Sequence, residues 1–480
     1  MEKWKKQNMI AFFVTLAVLI LLTILVFIIV NANKTRPSSA LECDHNFEEV
    51  KRSEPGEFEP GQVIYRCSDC GEEKNERILA NGKLPQIYFD GETYGIKKDS
   101  PVIVKAEYVD EDTHFSTYAS IKYQGHTAIV YDKKNYTVKF FKDKNLEEKN
   151  KLSLHGWKKS HKYCLKANYI DFSQARNIVS ANIWSDVVGS RETIDKNIAE
   201  LQYYGAIDGY PVMVFLNNEY QGVYTMNIPK DDDTYNIADD KNEAMFVINS
   251  TNSDSSYFKA NLSEGDKKSV YDLEYCYGEN EGNTEWAYES LDRLISFVIQ
   301  NDGEEFKSGI GQYLDVDSAI DYLITAYYLG LTDNFAKNAI LLTYDGQKWI
   351  FSLYDLDTAF GLAFDATKFF GPEELLPVKN QDGTISSSTG SLLWDKLLIN
   401  FRERLSNRYF ELRGTILDNE KIIARYRNFM DQIPKEYYEE DLKIWGDIPL
   451  HEENTIEQMS SYLSIHSKLL DDFFNDYKGD

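Results

Sequence analysis

"LTDNFAKNAILLTYDGQKWIFSLYDLDTAFG", Leu331 to Gly361, holds the stretch on which the reading of the fold turns. "AILLTY" and "KWIFSLY" are apolar, β-prone runs, and Asp345-Gly346 between them is a strong hairpin-turn signal. The first run follows Asp333 and Asn338. The second runs into Asp355 and Asp357. In an extended chain, residues i and i+2 point to one face, so both carboxylates can reach a single cation. A hard divalent ion such as Mg²⁺ takes oxygen ligands and prefers a few carboxylates plus substrate phosphates. The bland readings are an Asx turn at the strand end and a helix or turn cap at Asp333.

The order of these residues matches the protein-kinase arrangement. There a catalytic Asp is followed by a metal-binding Asn, and a hairpin leads to a metal-binding Asp just before Phe-Gly. Here the Phe-Gly is displaced to Phe360-Gly361, no His-Arg precedes Asp333, and no Ala-Pro-Glu follows. With "YQGHTAIVYDKKNYTVKF", "YCLKANYIDFSQARNIVSANI" and "VFLNNEYQGVYTMNI" upstream, the chain resembles the spore coat protein H (CotH) kinase-like family from about Leu84 to Leu397. The resemblance implies an atypical two-lobed protein-kinase-like fold that binds ATP with Mg²⁺ or Mn²⁺ and phosphorylates Ser/Thr hydroxyls of proteins. It implies that Asp333 orients or deprotonates the acceptor hydroxyl, and that Asn338, Asp355 and Asp357 hold the metal against the phosphates.

The phosphate lysine is open between two positions. Lys139 in "YTVKF" sits on a strand after the "GHTA" turn, as a kinase strand lysine follows its phosphate loop. Lys166 in "CLKANY" is its rival, and Lys133 and Lys134 are further cleft candidates. Each has a solvated strand face as its alternative. Gly125 opens a turn that would cover phosphates with backbone N–H groups. Family members often carry Asn-Ser-Ser where this chain has His126-Thr127-Ala128. Arg176 and Asn177 match the family's helix motif, bracing either the lysine strand or the metal carboxylates, with Arg176 counted among the ATP-binding residues.

Outward from this region the texture is α+β. From Leu84 come short alternating strands with turn residues between them: "QIYFDG", "VIVKAEYV", "STYASIKYQG", "TAIVYD" and "NYTVKFFKD". "FSQARNIVSANIWSDVV", Phe172 to Val188, has helical spacing, and "YPVMVFLNNEYQGVYTMNI" reads as a hairpin with "NNEYQG" at its turn. After about Asp231 the chain reads as mainly helical, clearest in "SLDRLISFVIQ", "SAIDYLITAYYLGL" and "SLLWDKLLINFRERLSNRYFELRGTIL". The domain therefore runs 81–480, with a β-rich N-lobe to about 230, a helical C-lobe from 231, and a cleft between them.

The N-terminus is separate. Residues 1–8 carry three lysines, and Met9 to Val30 is free of charge and long enough to span a bilayer as a helix. A cleavable signal peptide would have a shorter apolar run and a better cleavage site than "VNA". The lysines place the N-terminus in the cytoplasm, the anchor as single-pass in the cell membrane, and the main domain extracellular. Residues 31–41 form a polar linker. Within 42–80, Cys43 and His45 lie at one end and Cys67-Ser-Asp-Cys70-Gly at the other, around a hairpin-sized spacer. This spacing suits a closed Cys₃His structural Zn²⁺ site, with a Cys67–Cys70 disulfide as the alternative. The stretch is similar to zinc-ribbon-like repeats of bacterial surface proteins. Cys164 and Cys276 read as buried apolar residues.

The net charge of −26 over 480 residues argues against nucleic acid as a partner. It suits a basic, Ser-rich protein substrate by charge complementarity. A domain outside the membrane meets little ATP, so a non-catalytic surface binding or adhesion protein on the same fold is the competing reading.

Overall fold

The computed structural model describes residues 43–478, except 126, 238–241, 250–257, 259–267, 280–281, 336 and 447. The expected anchor Met9–Val30 and the linker after it lie outside the described residues. Among the described residues no helix is long and apolar enough to cross a membrane. The chain divides after Asn81 into two compact units.

The first unit is an antiparallel sheet of β1 (Phe47–Ser53), β2 (Gly61–Cys67) and β3 (Glu73–Ile78), in that order. A Cβ on Gly61 would lie 2.4 Å from the Ser53 carbonyl oxygen, so the start of β2 admits only glycine. Its buried apolar side chains, among those described, are Val63, Cys67 and Ala80. A sheet with so little core needs a staple.

The second unit begins with seven strands: β4 (Gln86–Gly91), β5 (Val102–Val109), β6 (His114–Gln124), β7 (Asn135–Phe141), β8 (Lys162–Lys166), β9 (Gly209–Leu216) and β10 (Glu219–Asn227). They close into a barrel in the order β10-β8-β7-β6-β5-β4-β9, with β4 and β9 parallel. Alternate residues such as Ile87 and Phe89, Val138 and Phe140, and Tyr163 and Leu165 supply one apolar core. The β9–β10 hairpin turns on Asn217-Asn218, at φ 50° and 70°. Both central residues are left-handed, as a two-residue turn between twisted strands requires. The turn is thus shorter than "NNEYQG", and Gly222 instead forms a bulge in β10.

Between β8 and β9 lies α1 (Arg176–Gly189), which starts four residues after the expected Phe172. Gln174 at φ 61° breaks the helical path, and the Asp171 carboxylate accepts the Arg176 N–H at 2.8 Å. The helix is buried on nearly every side and belongs to a second, larger core.

That core also holds α2 (Glu285–Gln300), α3 (Val316–Tyr328) and a four-stranded antiparallel sheet. Its strands are β11 (Ala244–Asn249), β12 (Tyr271–Cys276), β13 (Lys337–Thr343) and β14 (Ile350–Leu353), in the order β12-β11-β13-β14. The part after Asp231 is therefore less purely helical than its sequence suggests. The segment from Ser391 breaks at Phe401 into α4 (Leu392–Asn400) and α5 (Arg402–Thr415). Then come α6 (Asn419–Met430), α7 (Lys435–Trp445) and α8 (Ile456–Lys478). Two cores, one in a barrel and one in a mixed layer, make the unit α+β.

Candidate active site

The β13–β14 hairpin delivers the acidic residues. Asp345 Oδ1 accepts the N–H groups of Gln347 and Lys348 at 2.8 Å each, and Gly346 sits at φ 67°. An Asx turn thus forms where Asp-Gly stands. The strand ends earlier than expected, at Leu353. Asp355 lies beyond it at φ 55°, a left-handed conformation that aspartate tolerates better than most residues. Asp355 and Asp357 therefore do not share a strand face by period two. They meet through a turned loop.

Two neighbours hold that loop. Asn177 Oδ1, one residue into α1, accepts the Leu356 N–H at 3.0 Å. Asn334 Nδ2 donates to the Tyr354 carbonyl at 2.9 Å. Asp333 and Asn338 face each other across the preceding turn. Asn338 Nδ2 donates to Asp333 Oδ2 at 2.8 Å, and Lys337 Nζ lies 3.3 Å from Oδ1. The Asp333 N–H reaches Thr358 Oγ1 at 3.4 Å, tying this turn to the acidic loop.

The barrel contributes Lys166, at the end of β8. Its ammonium lies 3.2 Å from Asp355 Oδ1 and 5.9 Å from the centre of the Tyr354 ring. Burial works against its charge, but Asp355 and then Tyr354 outweigh it, so its pKa stands above the ordinary value. Lys139 has a different setting. It pairs with Lys162 across β7 and β8, roughly 13 Å along the strand from Lys166 at about 3.3 Å per residue. Burial, with Lys162 and Lys122 nearby, lowers its pKa. Lys133 is buried against Asp441 and the Val223 carbonyl, and Lys134 donates to the Ile129 and Tyr131 carbonyls.

Gly125 ends β6 at φ 100°, where a Cβ would lie 3.1 Å from Ala128 Cβ. The neighbouring pair Gln124 and Asn135 closes that barrel end, and Asn135 Oδ1 accepts the Ala167 N–H at 2.7 Å. The Gly125 turn and Lys166 thus emerge together. His126 lies outside the described residues. Tyr131, past the turn, stacks on Tyr169 at 4.9 Å, and its pKa is raised by burial, then by Asp365 and Asp357.

The electrostatics are those of crowded carboxylates. Burial raises the Asp357 pKa well above its ordinary value, with Asp355 and Asp333 adding to it and Lys166 opposing. Burial also raises Asp333, against the pull of Lys337. Hard oxygen donors short of cation suit Mg²⁺ or Mn²⁺. Asn338 fits too, since donating through Nδ2 leaves its Oδ1 to accept. Arg176 is fully buried between the Phe360 and Phe369 rings, at 6.0 and 5.5 Å. With Asn177 it lies at the acidic loop. A pocket of about 240 Å³ lined by Lys158, Lys159, Tyr163, Ile228 and Asp231, among others, contains none of these aspartates and plays no part here.

Sequence reasoning missed Asn334, Thr358 and Tyr354. Asn334 stands inside "TDNFAKN" and Thr358 inside "DLDTAFG", so proximity to the motifs is the signal that could have found them.

In the first unit, Cys43, His45, Cys67 and Cys70 place their ligand atoms all within 4.8 Å of one another. Cys43 Sγ lies 3.6 Å from Cys67 Sγ, and Cys70 Sγ lies 3.5 Å from His45 Nδ1. Tetrahedral bonds of about 2.3 Å to sulfur and about 2.0 Å to nitrogen put donors roughly 3.5–3.8 Å apart. All five cysteines are free, so the Cys67–Cys70 disulfide is not formed. Backbone N–H groups, Cys70's foremost, lower the Cys67 thiol to about 6. The cluster can hold a metal ion. Among the described residues no other group of three or more His, Cys, Asp or Glu ligands is gathered so closely.

A family model described as "CotH kinase protein" matches residues 121–470. No curated protein matches the chain. The matched span contains every residue of the candidate site named above and none of the Cys/His cluster.

Proposed function

The chain belongs to the CotH kinase family, and from that premise we propose that it is a membrane-anchored, ATP-dependent Ser/Thr protein kinase with a two-lobed, kinase-like domain. The observation that carries the reading is the Lys166–Asp355 ion pair. It links the barrel to the acidic loop beside the Asp333–Asn338 pair. In this reading Lys166 binds the ATP phosphates once Asp355 is engaged elsewhere. Asp355, Asp357 and Asn338 hold Mg²⁺ or Mn²⁺, which neutralises charge on the phosphates when bound. The Gly125 turn covers the phosphates, and Arg176 supports the loop from behind. Asp333, with its pKa raised, takes the proton of the acceptor hydroxyl, and Lys337 and Asn338 fix its orientation.

The acceptor is a basic, Ser-rich protein, supported by the acidic chain. Met9–Val30 anchors the chain once, with its N-terminus in the cytoplasm and the kinase domain outside. Zn²⁺ at Cys43, His45, Cys67 and Cys70 staples the first unit, supported by the donor spacing.

The test is the full chain in detergent with ATP, Mg²⁺ and a basic Ser-rich peptide, beside its Asp355→Asn variant. Phosphate incorporation by the first and only background by the second is expected. A folded wild-type chain with neither transfer nor nucleotide-dependent stabilisation would overturn the proposal in favour of surface adhesion.

A further inference from the structure

Helix α8 begins after Thr455-Ile456-Glu457-Gln458 opens its first turn, the spacing in which a threonine N-cap and a glutamine cap each other. Only half of that exchange is made. Thr455 Oγ1 accepts the Gln458 N–H at 3.2 Å, but the Thr455 N–H donates to the Glu453 carbonyl. The Gln458 side chain is turned to another task. Its Oε1 accepts Arg176 Nη2–H at 2.8 Å, and its Nε2–H donates to the Phe360 carbonyl at 3.0 Å. One amide therefore joins the first residue of α1 to the turn that follows Asp357.

Both ends of that bridge need holding. Arg176 is fully buried, and its Nε and Nη1 have no hydrogen-bond partner. Its nearest ion pair, Nε to Asp171 Oδ1, is 3.8 Å long. A buried guanidinium with open donors costs free energy unless a partner reaches it. At the other end Phe360 sits at φ 58°, a conformation that bulky residues keep only when their surroundings impose it. The Phe360 N–H donates to the Leu329 carbonyl at 2.6 Å, so Gln458 fixes the one backbone group of this residue that Leu329 does not.

We propose that Gln458 is a positioning residue of the acidic loop. It keeps the open Arg176 donors beside the loop and fixes the Phe360 carbonyl, so that Asp355 and Asp357 face a divalent cation. It touches neither cation nor phosphate, and the inference rests on the metal reading of that loop.

The test is a Mg²⁺ titration of the full chain in detergent at fixed ATP, read by thermal unfolding. Gln458→Met keeps the side-chain length and removes both hydrogen bonds. Asn454→Ala removes the nearby Asn454 Nδ2 bond to the Ile170 carbonyl (3.2 Å) without touching Arg176. The Mg²⁺ midpoint of Gln458→Met rises about tenfold or more, the size found for outer-shell partners of metal ligands. The midpoint of Asn454→Ala stays at the wild-type value. Gln458→Glu, which keeps the acceptor for Arg176 and loses the donor to Phe360, lies between, and decides the matter if Gln458→Met does not fold. A purely structural role would lower the unfolding temperature and leave the midpoint alone. A wild type that responds to Mg²⁺ and ATP beside a Gln458→Met with the same midpoint overturns this inference alone. A wild type without any response overturns the metal reading and the inference together.

Discussion

Asp357 lies among three other aspartates, Asp355, Asp333 and Asp171; Lys166 opposes their effect on it, while Lys337 pairs with Asp333 and Arg176 with Asp171. The raised pKa of Asp357 means that the folded chain holds a proton the unfolded chain gives up. The stability contributed by this group is present at low pH and is lost as pH rises from about 4, the ordinary carboxylate value, toward the folded value. Asp357→Asn should therefore raise the melting temperature of the Mg²⁺-free chain at neutral pH and flatten its decline above pH 4. Added Mg²⁺ should stabilise the wild type more than the variant. A variant that melts below the wild type at pH 7 without Mg²⁺ would refute this. At this scale a local order in the sequence singles out Asp333 and Asp355, which the structure gathers around Asp357. Their geometry was not legible there. Period-two reasoning assumed a strand through Asp355, and a left-handed aspartate leaves no mark in the sequence. Lys166 and Lys139 both read as strand lysines. Only the approach of barrel to loop, which no local pattern encodes, separates them.

Among the elements, the bulge in β10 shows how a distant helix is fitted to the barrel. A Cβ on Gly222 would lie 2.1 Å from Asp441 Oδ1, so the bulge leaves room for that carboxylate. Asp441, from α7, accepts the Val223 N–H at 3.0 Å and the Lys133 ammonium at 2.5 Å. Both side chains of the pair are at most 3% exposed. Lys133→Met alone strands a buried carboxylate and should cost roughly 3–5 kcal/mol, whereas Lys133→Met with Asp441→Leu should recover most of that loss. Denaturant unfolding of the two single variants and the double variant measures this, and strictly additive losses would contradict it. Legibility varied among elements for physical reasons. Alternating strands such as "VIVKAEYV" announce themselves. "AMFVIN" in β11 is buried along most of its length, so it has no alternation to read. The break at Phe401 has neither Gly nor Pro, so helical spacing runs through it unmarked.

For the molecule as a whole, the two units predict separable behaviour. If a metal ion staples the first unit, a strong Zn²⁺ chelator should open residues 43–81 to protease while Gly82 onward stays protected. Proteolysis read by mass spectrometry decides it, and undiminished protection of 43–81 would exclude a structural metal. The cysteine spacing made this unit visible in the sequence, because a metal site needs its ligands and little else. The α+β character of the larger unit was visible too, but barrel closure was not. It depends on β4 pairing with β9 across more than a hundred residues.

That closure also bears on crowding. A sheet bent into a ring offers no row of unpaired backbone groups, so copies of this chain at high concentration cannot zip barrel to barrel into ordered aggregates. Among the described residues the four-stranded sheet ends in β12 on one side and β14 on the other, but β14 is buried along its length and its Phe351 N–H donates to Ser318 Oγ at 3.0 Å, so β12 is the open side. Among the described strands, an extended polypeptide that seeks main-chain pairing finds an open side at β12 or at the outer strands β1 and β3 of the first unit, and the barrel's outer wall discriminates by side chains alone.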